Sequence, residues 1–141
     1  MRWPWQKAKG EEPAHLRAGC WGEEWAARVL KEKGYKILGQ RVRMGRRDEL
    51  DIVARQKDTL VFVEVKTRKS EDFGSPASAV NRAKRHTLSR AAIRYLGKIR
   101  KKPDYVRFDV VEVVGEEGEG IPVIRHIENA FTMDSIYRIR W

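Results

Sequence analysis

The stretch Leu60-Val61-Phe62-Val63 is apolar at four consecutive positions. Side chains of a strand alternate between its two faces. These residues therefore bury both faces of one strand, and such a strand needs a helix or sheet on each side. The chain supplies two stretches that can give that cover. In the first, starting at Pro13, Leu16, Gly19/Cys20, Glu23, Ala26/Ala27 and Leu30 recur at three- and four-residue spacing. That is one face of a helix, and Gly34 follows where a left-handed cap is needed. The second runs from 77 to about 100, with Val80, Leu88, Ala91/Ala92, Tyr95, Leu96 and Ile99 as its stripe and Pro103 beyond. Strands are expected at 35–44, 49–55, 60–68, 105–114 and 121–127. Gln56-Lys57-Asp58-Thr59 is short enough to close an antiparallel hairpin. The order is helix, three strands, helix, two strands, which predicts an α/β fold. It is a single mixed β-sheet flanked by helices, neither a repeat array nor a βαβ series. The domain is expected over 13–131. Residues 1–12, with Trp3 and Trp5, read as a flexible N-terminal tail, and 132–141 as a C-terminal tail.

The apolar run ends on charge. Glu64-Val65-Lys66 places two ionised groups on one strand face, two residues apart. Buried charges are costly unless paired or metal-bound. A solvated strand end carrying an ion pair satisfies the same residues, and chance alone supplies roughly one Glu-x-Lys in a chain of this composition. The hairpin sharpens the choice. If Arg55 pairs with Leu60, Asp51 falls opposite Glu64 on the same face, with β-carbons about 5 Å apart. Two carboxylates so close repel unless a cation lies between them or one takes a proton. Mg²⁺ or Mn²⁺ suits such a pair, the remaining positions going to water and phosphate oxygens. Lys66 then stands beside the metal, where its ammonium can hold a phosphate oxygen or orient water. A one-residue slip of the hairpin would undo the arrangement. Glu23, in mid-stripe of the first helix, either snorkels at an edge or aims at a site. Gly19 and Gly22 would let that helix approach the sheet closely.

The chain has 141 residues, enough for one core, and a formal charge of +10. A strong positive balance favours a polyanionic partner, nucleic acid before an anionic membrane surface. Residues 82–107 carry +9, with Arg82, Lys84, Arg85, Arg90 and Arg94 on the second helix. Such a run can be a solvated face, but it lacks the acids that helix surfaces interleave. Lys84 leans toward the core side, where it could reach a phosphate. Arg41, Arg43, Arg46 and Arg47 form a second strip just before Asp51. One cysteine, Cys20, forbids an intramolecular disulfide and fits a reducing compartment. No run reaches the ~18 apolar residues of a membrane span, and the first residues lack a signal-peptide core. A cytoplasmic protein is expected. His15, His86 and His126 lack zinc spacing, and no phosphate-binding glycine loop or GxSxG elbow occurs.

Several segments together resemble a known family. They are Gly19-Cys20-Trp21-Gly22-Glu23-Glu24-Trp25-Ala26, Glu49-Leu50-Asp51-Ile52-Val53, Val61-Phe62-Val63-Glu64-Val65-Lys66-Thr67-Arg68, Phe73-Gly74, Lys84, Arg107-Phe108-Asp109-Val110-Val111 and Asn129-Ala130-Phe131. The order is similar to that of the YraN-like family of predicted bacterial endonucleases, in the restriction-endonuclease-like PD-(D/E)XK group and related to archaeal Holliday junction resolvases. The resemblance implies a restriction-endonuclease-like fold with Asp51 and Glu64 as metal-binding acids. It implies Lys66 as the catalytic lysine, Val65 as a carbonyl ligand, and Glu23 as a helix acid near the metal. Arg68 joins the basic residues set beside nucleic acid. The family usually reads Gly-Glu-Ile-Asp where this chain has Asp48-Glu49-Leu50-Asp51, so the turn before that strand is expected to differ.

Two functions follow. One is a Mg²⁺- or Mn²⁺-dependent endonuclease hydrolysing DNA, with branched and single-stranded forms as candidate substrates and a homodimer as a candidate assembly. The other is a nucleic-acid-binding module on the same scaffold without turnover.

Overall fold

The computed structural model describes residues 14–70 and 80–134. The elements are α1 (Ala14–Glu32), β1 (Lys36–Met44), β2 (Asp48–Gln56), β3 (Thr59–Arg68), α2 (Arg82–Lys98), β4 (Tyr105–Val114) and β5 (Val123–Phe131). The strands form one sheet in the order β1-β2-β3-β4-β5. β3 lies in the middle, antiparallel to β2 and parallel to β4. This is the expected α/β fold with one mixed sheet. The parallel pair makes β3-α2-β4 a single βαβ unit, which the element order alone does not reveal.

The apolar run of β3 explains the layers. Val61 and Val63 pack on one face with Trp21, Ala26, Ala27 and Leu30 of α1. Leu60 and Phe62 pack on the other with Leu88, Ala91, Ala92 and Leu96 of α2. At Gly22 α1 lies so close to β3 that a β-carbon would overlap the Thr67 hydroxyl, whereas Gly19 faces open space. Of the two glycines expected to admit the sheet, only Gly22 does so.

The hairpin adopts the expected register, with Arg55 opposite Leu60 and Ile52 opposite Val63. Its loop is tighter than four residues, because Gln56 and Thr59 pair and leave Lys57-Asp58 as the turn. Lys57 takes the left-handed conformation, φ 52°. α2 starts at Arg82, so positions 80 and 81 of the expected helix are not helical. Asn81 is extended and its side-chain oxygen accepts a hydrogen bond from the Lys84 amide at 2.8 Å, which is a helix N-cap. The helix ends at Lys98, and the Lys102 ammonium donates to the carbonyls of Leu96 and Ile99.

β5 runs on to Phe131, past the expected end at 127. Its register shifts between Phe108 and Val110, and Asn129 at φ 52° donates its amide to Asp109 at 3.0 Å. Asp109 is fully buried. Arg107 binds it through two nitrogens at 2.8 and 2.9 Å, and His126 Nε2 lies 2.7 Å away. These partners hold its carboxyl below the usual range against the opposing effect of burial. The Arg107-Phe108-Asp109 and Asn129-Ala130-Phe131 segments thus meet as a structural staple at a bulge.

No helix among the described residues is long and apolar enough to cross a membrane. The expectations for the 1–12 tail, Trp3, Trp5, Phe73-Gly74, the helix start at 77 through 79 and the tail beyond 134 lie outside the described residues.

Candidate functional site

The β2–β3 ladder stops at Ile52 and Val63, one step short of the two acids. There a side chain takes over from backbone. Asp51 Oδ2 accepts a hydrogen bond from the Val65 amide at 2.9 Å, fixing the carboxylate between the strands. Glu64 extends toward α2, where Lys84 Nζ lies 3.1 Å from its Oε1. The Asp51 and Glu64 carboxyls interact electrostatically, the charge of Asp51 adding to the burial that raises Glu64. Glu64 is only 12% exposed, and its Oε2 is buried without a hydrogen-bond donor among the described residues.

The electrostatics follow from that enclosure. Burial, then the charge of Asp51, pushes Glu64 up to about 7, and Lys84 acts in the opposite sense. Burial also raises Asp51, against the Val65 amide and Lys84. The pair is thus poised to hold one proton near neutrality or to give it up to a cation. An orphaned carboxylate oxygen beside a second carboxylate is a donor set for a hard divalent ion. Lys66 follows on the same face of β3, exposed, and in register with Glu112 of β4.

Glu23 does not join the pair. Among the described residues no three His, Cys, Asp or Glu side chains gather as a metal-binding group. Glu23 instead meets Arg41, whose Nε lies 2.7 Å from Oε2. Burial raises its carboxyl, Arg41 lowers it, and Asp51 raises it again, so it stands within electrostatic range of the site.

The basic residues divide into two groups. Arg41, Arg43, Arg46, Arg47, Arg82 and Arg94 are exposed, and Arg94 also donates to the Met44 carbonyl. Lys84 and Arg85 are half-buried at the start of α2. Arg90 and Arg68 are employed inside the fold, which removes them from the phosphate-facing set. Arg90 grips buried Asp48 through two nitrogens at 2.8 and 2.7 Å. Arg68 lies 3.2 Å from buried Glu112, which Arg125 also meets at 3.0 Å. The Asp48–Arg90 and Glu112 ion pairs escape sequence reasoning, since only an excess of unmatched arginines on α2 hints at the first.

Residues 22–113 match the model of the uncharacterised protein family UPF0102. The chain belongs to the UPF0102 family. It is 48% identical over 113 residues to a UPF0102 protein of Syntrophomonas wolfei, covering 80% of this chain and 96% of that protein. It is 45% identical over 116 residues to one of Symbiobacterium thermophilum, with 82% and 96% covered. A UPF0102 protein of Alkaliphilus oremlandii is 45% identical over 119 residues, with 82% and 97% covered. The UPF0102 match spans Glu23, Arg41, Asp51, Glu64, Lys66 and Lys84 together.

Proposed function

We propose that this UPF0102 protein is a Mg²⁺- or Mn²⁺-dependent endonuclease that hydrolyses phosphodiester bonds, in DNA ahead of RNA. The observation that carries the reading is the Asp51–Glu64 carboxyl pair with the buried, donor-less Oε2 of Glu64. Asp51, Glu64 and the Val65 carbonyl would hold the ion, and water and phosphate oxygens would complete its shell. Bound there, the cation would supply Lewis-acid polarisation of a phosphoryl oxygen and a lowered pKa for its bound water.

The chain's own residues do the rest. The Val65 amide orients Asp51, so that carboxylate needs no reorganisation when substrate arrives. Glu64, in its ionised form, would give the ion its buried Oε2. The Lys66 ammonium, one side-chain step along the same face, orients water or holds a non-bridging phosphate oxygen. Lys84 exchanges Glu64 for phosphate, and exposed Arg43, Arg46, Arg47 and Arg82 guide the strand. A cytoplasmic location fits a nucleic-acid substrate and the single cysteine.

The test is a panel of junction, flap, single-stranded and duplex DNAs, with matching RNAs, incubated with Mg²⁺ or Mn²⁺. The wild type cuts at least one member, and Asp51→Ala, Glu64→Ala and Lys66→Ala each lower the rate by about 100-fold or more. Equal cutting by wild type and all three variants overturns the assignment. Tight, salt-sensitive binding with no cutting under any metal replaces it with a non-catalytic binding module.

A further inference from the structure

Arg41 combines four observations that the proposed cleavage does not use. It is a non-glycine residue at φ 51° inside a strand, a conformation that L side chains rarely adopt. Strained backbone of this kind tends to persist at functional sites. The β1–β2 register passes from Gln40–Ile52 to Val42–Leu50, so Arg41 lies across from Asp51. Its guanidinium spends both observed bonds on α1, with Nε on Glu23 and Nη2 on Cys20 Sγ at 2.7 Å. The Arg41 side chain is 43% exposed and that of Glu23 is 13% exposed. The cation can therefore be reached from solvent, while the acid it holds is largely enclosed.

We infer that Arg41 is a positioning residue, a latch that holds Glu23 away from the Asp51–Glu64 pair until a nucleic-acid phosphate takes the guanidinium. The inference rests on the metal-site reading above and adds to it a coupling between substrate and ion. Three carboxylates converging without a cation would repel one another. Pairing Glu23 with Arg41 removes the third from that repulsion while the site is unfilled by substrate. A phosphodiester offers Arg41 a charge-assisted, bidentate partner. Glu23 is then released within range of Asp51 and adds its charge to the metal-binding set. Nucleic acid and divalent ion each strengthen binding of the other, as linkage requires.

The experiment is calorimetric titration of Mn²⁺ into the wild type, Glu23→Gln, Arg41→Gln and the double variant, alone and with a cleavage-resistant phosphorothioate oligonucleotide. Without oligonucleotide, Glu23→Gln should change Mn²⁺ affinity by less than about two-fold when Arg41 is present. In the Arg41→Gln background the same change should weaken binding by about five-fold or more, and oligonucleotide should produce that sensitivity in the Arg41 protein. Arg41→Gly, which accommodates the positive φ, should behave as Arg41→Gln and guards against a folding defect. Equal effects of Glu23→Gln in both backgrounds overturn the latch. Sensitivity released by Arg41→Gln but not by oligonucleotide overturns phosphate as its trigger. Failure of the parent reading looks different: Mn²⁺ binding is then absent from the wild type or indifferent to Asp51→Ala and Glu64→Ala.

Discussion

Glu64 carries a consequence for stability as well as for chemistry. Its folded carboxyl is raised to about 7 from an ordinary 4.5, chiefly by burial and secondly by Asp51. A raised acid favours the native state while protonated. The native and unfolded states are equally protonated well below 4.5, so no penalty exists there. Between 4.5 and about 7 the unfolded chain ionises first, and stability falls as pH rises, reaching a loss of about 3 kcal/mol above that window. Thermal melts of the metal-free protein from pH 4 to 8 should show that decline. Glu64→Gln should reduce it, the remainder coming from raised Asp51, and an unchanged slope in the variant would assign the decline elsewhere. At this scale the sequence reveals the acid pair but not its neighbours. Asp51 and Glu64 could be matched because one hairpin and an apolar alternation decide their register. The hold of Arg41 on Glu23 depends on a left-handed residue within a strand, which no local pattern announces.

Between elements, the contact of α1 with β3 is set by one missing β-carbon. Gly22→Ala drives a methyl into Thr67 and should cost about 1–3 kcal/mol. Gly19→Ala points into open space and should gain up to about 1 kcal/mol from helix propensity. Denaturant unfolding of the two variants checks the contrast, and similar midpoints for both would refute the close packing. The helices and central strands were legible because burial repeats at a fixed period along them. The start of α2 was not, since the stripe from Val80 onward continues smoothly through an Asn81 cap. The length of β5 was equally hidden. Glu128 and Asn129 look like the end of a strand, and only the bulge made by Asp109, twenty residues away, keeps them in the sheet.

For the molecule as a whole, the +10 charge is not one uniform field. Arg68, Arg90 and Arg107 are matched by Glu112, Asp48 and Asp109 inside the fold. Among the described residues, exposed Arg43, Arg46 and Arg47 flank the β1–β2 turn and exposed Arg82 and Arg94 lie on α2, while Glu116, Glu117 and Glu119 make the β4–β5 connection acidic. Nucleic-acid binding should therefore weaken linearly in log affinity against log salt, and Arg46→Ala with Arg47→Ala should lower that slope by about 1–2. An unchanged slope would place the phosphate track elsewhere. The shape of β1 matters here too. It is an outer strand of the sheet, irregular between Ile37 and Gly39 and turned left-handed at Arg41. A straight outer strand would offer its unpaired amides and carbonyls to another chain and seed aggregation. With its backbone irregular at two places and arginines at 41 and 43, this border of the five described strands carries two of the devices that keep an outer strand from templating another chain.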